Sequence, residues 1–106
     1  MKTDYGIVIT TTDSKAVADR ITQSLLEKRL AACIQQFFVQ SSYRWQGAIE
    51  TADEIRLEIK TTSAHFEAVR SEILTLHNYD VPEILMLPVT AGHRDYLTWL
   101  SDETRS

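Results

Sequence analysis

Between Cys33 and Lys60 the chain carries two runs of strand-forming residues separated only by Gln46-Gly47. Each run is roughly twice the usual five or six residues of a strand. From Ile49 onward the alternation is regular. Ile49, Thr51, Asp53, Ile55, Leu57 and Ile59 share one face, and Glu50, Ala52, Glu54, Arg56, Glu58 and Lys60 share the other, because successive side chains of a strand point to opposite sides. Glycine at the second position of the connection fits a type II turn or a bulged variant. Either leaves no room for a flexible, ligand-grasping loop. A hairpin this long overhangs a small domain. Its unpaired backbone groups and its aromatic tip, Tyr43 and Trp45, call for a partner, and another copy of the chain is the expected one.

Around the hairpin the periodicities alternate between strand and helix. Residues 5–11 are β-branched and mostly apolar, the pattern of a central strand buried on both faces. Thr12, Asp13 or Ser14 can cap the helix that follows. Val17, Ile21, Leu25 and Leu26 form its apolar stripe, and Lys28 and Arg29 complement the dipole at its end. After the hairpin, Thr61-Thr62-Ser63 offers a second N-cap, and Phe66, Val69, Ile73 and Leu76 mark a second amphipathic helix. Asn78 suits a left-handed residue after that helix, and Pro82 prevents its continuation. Residues 83–87 form a short apolar strand ended by Pro88. Residues 93–100 predict a last helix that buries Tyr96, Trp99 and Leu100, and the polar residues 101–106 predict a frayed tail. The order β-α-β-β-α-β with a terminal helix predicts an α+β, ferredoxin-like split sandwich, with an antiparallel sheet and both principal helices on one face. The opposite face is left without helices and again points to self-association.

Composition narrows the function. The chain has 106 residues, read as one domain spanning 1–106, with 43% hydrophobic and 25% charged residues, enough to build a core without a disulfide or metal. A net charge of −4 and the lack of a Lys/Arg run argue against nucleic acid as a partner. No stretch approaches the ~20 apolar residues of a membrane span, and the N-terminal residues do not resemble a signal peptide. One cysteine makes no internal disulfide, which fits a reducing, cytoplasmic setting.

Chemistry-bearing patterns are sparse. Cys33 stands among small apolar residues, as a structural cysteine does. Gly6, Gly47 and Gly92 are too scattered for a phosphate-binding loop. Among His65, His77 and His93 no pair has the i, i+4 spacing of a helical metal site. His77 follows a helix, where its charged form is favoured. Glu50, Asp53, Glu54 and Glu58 could hold a hard cation, but they read more simply as a solvated strand face with Arg56 and Lys60 as neighbours.

Leu30-Ala31-Ala32-Cys33, Tyr43-x-Trp45-x-Gly47-x-Ile49-Glu50, Lys60-Thr61, His77-x-Tyr79-x-x-Pro82-Glu83, Leu87-Pro88-Val89 and Tyr96-Leu97-x-Trp99 together resemble the CutA family of divalent-ion-tolerance proteins. The resemblance implies a tight homotrimer whose long hairpins pair between subunits, an assembly similar to that of the PII signalling proteins, with the short Gln46-Gly47 turn in place of their nucleotide-contacting loop. It implies a trimeric role in tolerance of copper or another divalent cation, and a ligand-binding set of Tyr43, Trp45, Glu50, Lys60, Tyr79, Glu83 and Trp99 at clefts between subunits. The family's copper-associated positions fall on Thr10, Leu76 and His77. Only His77 is a ligating type, and a threonine hydroxyl is a poor substitute for a soft thiolate. The expected protein is non-catalytic. Two other readings stay open: an enzyme whose intersubunit site brings Lys60, His77, Glu83 and tyrosine hydroxyls together for acid–base work, and a trimeric scaffold that recruits an unknown protein.

Overall fold

A computed structural model describes residues 3–105. Met1, Lys2 and Ser106, the outer residues of the N-terminal segment and of the polar tail, lie outside the described residues. The elements are β1 (Tyr5–Thr12), α1 (Lys15–Glu27), β2 (Cys33–Trp45), β3 (Ala48–Thr62), α2 (Phe66–Leu76), β4 (Leu85–Pro88) and α3 (Arg94–Glu103), with a single 3₁₀ turn, Ser63–His65, ahead of α2. The sheet order is β2-β3-β1-β4, and every neighbouring pair is antiparallel. This is the expected α+β topology.

The core forms where the helical stripes meet one face of the sheet. Ser14 caps α1 by accepting the Val17 amide at 3.2 Å, and Val17, Ala18, Ile21 and Leu25 are buried. They meet Val8, Ile55, Leu57 and Ile59 from the sheet, and Val69 and Ile73 from α2. Where the two helices touch, Glu72 accepts from Ser24 and pairs with Lys28. Lys28 holds the Glu72 carboxyl below its ordinary pKa, against a smaller opposing effect of burial.

The long strands outrun their support. β1 pairs with β3 only from Thr12↔Ile55 to Tyr5↔Thr62, whereas β2 and β3 stay paired out to Trp45↔Ala48. Beyond Ile55 the sheet is therefore a two-stranded ribbon. The radius of gyration is 14.3 Å, above the about 13 Å of a compact domain this size, and the longest dimension is 45 Å. The face expected to run unbroken from Ile49 to Ile59 divides at the same point: Ile55, Leu57 and Ile59 are buried, while Ile49 is 74% exposed.

Several local expectations are corrected. Gln46 (φ 50°) and Gly47 (φ 82°) are both left-handed, which makes the connection a type I′ turn rather than type II; its twist matches that of the flanking strands. Asn78 is not the left-handed residue; Arg29 (φ 57°) is. α2 ends instead on extended His77, and Asn78 uses its side chain, accepting from the Thr12 hydroxyl at 2.6 Å and donating to Asp13 at 2.8 Å. The Thr61-Thr62-Ser63 run does not cap α2 through its side chains. Thr61 donates to the Leu30 carbonyl at 2.6 Å, Ser63 donates to that of Thr3 at 2.6 Å, and Thr62 pairs with His65.

The second sheet face is not bare. Tyr5 and Lys60 point away from the core, and α3 lies over them: the Tyr5 and Ser101 hydroxyls are 2.8 Å apart, and the Lys60 ammonium sits 5.8 Å from the Tyr96 ring centroid. Of the three residues expected to be buried by α3, only Leu100 is. Tyr96 and Trp99 keep about two-fifths of their surface exposed and pack on each other at 5.5 Å. The tail is held as well. The Arg29 guanidinium donates to the Asp102 and Arg105 carbonyls at 2.7 and 2.5 Å, satisfying acceptors that a helix end leaves free, and Thr104 is buried.

Candidate functional site

The short segment between α2 and β4 turns back under the hairpin ribbon, and His77 fixes that turn. Its Nδ1 accepts the Tyr79 amide at 3.0 Å. Nε2 therefore carries the proton and donates to the Thr11 carbonyl at 2.8 Å. Both ring nitrogens are thus spent on backbone. The Tyr79 ring packs 4.9 Å from the imidazole and its hydroxyl donates to Glu54 Oε2 at 2.6 Å. Glu54 is the last ribbon residue before β1 joins β3, so this bond ties the ribbon's base to the turn. Burial, then the hydrogen bond and charge of Glu54, push the Tyr79 hydroxyl far above its ordinary pKa. It is a neutral donor, not a base.

Above this contact lies an open cleft of about 600 Å³, lined by Tyr43 and Trp45 of β2, Glu54 of β3, and Tyr79, Asp80 and Glu83 of the turn. Three carboxylates line it, and no lysine or arginine does. A second cavity, of about 570 Å³, lies against the stem, with Asp13, Lys15, Phe38, Asp53 and Ile55 among its walls.

The sequence-derived set is divided by the fold. Tyr43, Trp45, Tyr79 and Glu83 come together at the cleft. Glu50 is the cross-strand partner of Tyr43 and sits beside it, exposed. His77 is beneath the floor. Lys60 and Trp99 belong to the α3 face instead, where Lys60 lies over Tyr96 and opposite half-buried Cys33. Within one chain, Lys60 and Glu83 share no cleft. Glu54 and Asp80 line the site without having been singled out for it. The available signal for Glu54 was strand parity, since it shares a face with Glu50 and, through the register, with Tyr43.

The three copper-associated positions do not make a ligand set. Thr10 is fully buried among core residues with its hydroxyl unpartnered, Leu76 packs against the core, and His77 has no free nitrogen. Among the described residues no group of three or more His, Cys, Asp or Glu side chains is placed to hold a metal ion. The residues of a single chain at those positions do not fit a copper site. No helix among the described residues is long and apolar enough to cross a membrane.

Comparison with known proteins gives a consistent result. Residues 6–103 match the family model described as CutA1 divalent ion tolerance protein. The divalent-cation tolerance protein CutA of Pectobacterium atrosepticum is 40% identical over 103 residues, covering 96% of this chain and 94% of that one. The crystal structure of CutA from Xylella fastidiosa superposes with a TM-score of 0.94 at 38% identity, covering 97% of this chain and all of that one. A structure from Archaeoglobus fulgidus, described as a periplasmic divalent cation tolerance protein CutA, superposes with a TM-score of 0.93 at 36% identity over 95% of this chain and 99% of its own.

Proposed function

The chain belongs to the CutA1 divalent ion tolerance family, and from that premise we propose that it is a non-catalytic tolerance protein working as a PII-like homotrimer, with ligand sites at the clefts between subunits. The observation that carries the assembly is the ribbon beyond Ile55. It is apolar on both faces, with Ile49 (74% exposed) on one and Tyr43 and Trp45 on the other, and Phe38 (84% exposed) stands at its base opposite Ile55. A two-stranded ribbon is marginal alone in water, and exposed apolar surface on both sides of it marks an interface. A neighbouring copy that covers one face would close the cleft on the other.

The ligand is a divalent cation, copper among the candidates, or a small molecule. Because neither Thr10, Leu76 and His77 nor the cleft carboxylates of one chain assemble a metal site, a cation at the cleft is met by Glu54, Asp80 or Glu83 together with groups from a neighbouring subunit. A cytoplasmic setting, inferred from the single cysteine, is part of the proposal, and cell fractionation tests it.

Gel filtration with light scattering at micromolar concentration checks the assembly; a monomer overturns it. Calorimetry with copper(II) on the wild type, His77→Ala and Glu54→Gln checks the site. Loss of binding in Glu54→Gln alone supports the cleft, and loss in His77→Ala alone moves the site to the turn beneath it.

A further inference from the structure

The C-terminal helix reaches the rest of the fold over a short irregular segment. The last backbone bond before it runs from the Val89 amide to the Tyr5 carbonyl, 3.0 Å. Residues 90–93, with Gly92 among them, have no regular structure. Of the ten residues of α3 only Leu100 is buried. Among the described residues no salt bridge joins α3 to another element. Its polar ties are the Tyr5–Ser101 hydroxyl pair, the Lys60 ammonium at the Tyr96 ring, and the Arg29 guanidinium on the Asp102 and Arg105 carbonyls. An element with so little buried apolar surface opens more easily than the whole fold.

Arg29 itself stands where glycine is usual. The Leu30 amide donates to the Leu25 carbonyl at 2.9 Å, and the Arg29 amide to that of Leu26 at 3.1 Å. That pair of bonds ends a helix on a left-handed residue, most often glycine. Arg29 takes the left-handed conformation (φ 57°) with a side chain attached, which carries a steric cost. Closing α1 needs no guanidinium. What the side chain adds is the two-pronged hold on the end of α3, Nε to Arg105 and Nη2 to Asp102.

We propose that Arg29 is a latch and α3 a cover. The helix leaves the sheet as a unit on residues 90–93 while the rest of the fold stays intact, and the Arg29 fork sets how often. Closed, α3 lies over Tyr5 and Lys60. Open, it uncovers the Lys60 ammonium and the Tyr5 hydroxyl and carries Trp99 away from them. Lys60 and Trp99 are the members of the sequence-derived ligand set that belong to this face, so the latch decides whether they share one surface. None of this depends on what the acidic cleft binds.

Hydrogen–deuterium exchange of the full chain in its native assembly tests the proposal, on wild type, Arg29→Gly and Arg29→Ala. In the wild type, α3 amides should exchange at least about tenfold faster than those of α1, α2 and the β3 stem, after correction for intrinsic rates. Both variants lose the fork, and the left-handed residue is present whether α3 is docked or not. Exchange in α3 relative to α1 should therefore rise about tenfold in both, the order expected for a hydrogen bond to a charged group. Glycine relieves the backbone and alanine does not, so the two variants should differ in melting midpoint instead, with Arg29→Gly the higher. Acylation of Lys60 by an N-hydroxysuccinimide ester, measured against Lys15, should rise with the exchange. A wild-type α3 that exchanges in step with the core overturns the proposal, because the helix then opens only by global unfolding. Equal acceleration of α1, α2 and α3 in the variants also overturns it and makes Arg29 a support of the whole fold. So does acceleration in Arg29→Ala without acceleration in Arg29→Gly, which places the effect in the backbone. Faster exchange with unchanged Lys60 acylation overturns it too, since the helix then frays in place without uncovering the face.

Discussion

One strand, β3, passes through two environments. From Ile55 to Lys60 it lies between β1 and β2, with Leu57 and Ile59 fully buried under the helices. From Ala48 to Glu54 it has β2 alone and keeps most of its surface in water. Both halves have strand-forming composition, so propensity does not distinguish them; neighbours do. The stem spends its side chains on stability within one chain, while the ribbon presents apolar and acidic side chains that one chain does not use. Regions of low internal support are where binding and assembly surfaces are found.

The largest test of that contrast is Leu57→Ala against Ile49→Ala. In urea unfolding of the unassembled chain, at a concentration below that of trimer formation, the stem truncation should cost about 2–5 kcal/mol, and the ribbon truncation about 0.5 kcal/mol or less. An equal loss at Ile49 would erase the difference and mean that the ribbon is buried by a neighbour at the concentration measured. Next in size is the bond at the boundary. Tyr79→Phe leaves Glu54 without its donor and should cost about 1.5–3 kcal/mol, the usual range for a hydrogen bond to a charged group. The same bond has a pH signature. Because the Tyr79 hydroxyl has a raised pKa when folded, its contribution is fully present below about pH 10, the unfolded value. Above that the unfolded chain loses the proton first, so stability falls as pH rises. Tyr79→Phe should flatten that alkaline limb in a series of urea midpoints. At the tip, Gly47→Ala places a Cβ at φ 82° and should cost about 1–2 kcal/mol. A cost near zero would show that the ribbon's end frays independently of the stem. Smallest, and of opposite sign, is Thr10→Val. It removes the unpartnered hydroxyl buried in the stem at nearly constant volume, and the thermal midpoint should stay level or rise, by up to about 1 kcal/mol in stability.

What was legible in the sequence follows the same division. The stripes of Val17, Ile21 and Leu25, and of Val69 and Ile73, are local periodicities, and each became a buried helix face. The alternation of Ile55, Leu57 and Ile59 likewise named the stem. Alternation at Ile49 looks identical, and nothing in it says that β1 stops at Thr12, because the stopping point belongs to another strand. Placement of α3 was hidden for a similar reason: it depends on Tyr5 meeting Ser101 across almost the whole chain. Arg29 takes a left-handed conformation that its type does not advertise, while its guanidinium holds carbonyls at the far end of the sequence. At the site, Tyr43, Trp45, Tyr79 and Glu83 were found through motif resemblance. Glu54 was seen only as one acid in a charged strand, because its role is set by a hydroxyl that folding brings to it.

The two-residue turn at Gln46-Gly47 makes the hairpin a ruler with discrete marks. Its type I′ geometry fixes the register, so the arm lengthens without turning over only when a residue is added to each strand in matched pairs. Two such pairs extend the reach by about 6.8 Å and restore every side chain to its own face. A single pair moves Arg44 and Ile49 to the side that Tyr43 and Glu50 now occupy. Relatives of this chain can therefore vary in arm length only in steps of that size if they keep the same cleft, and an engineered arm has the same restriction.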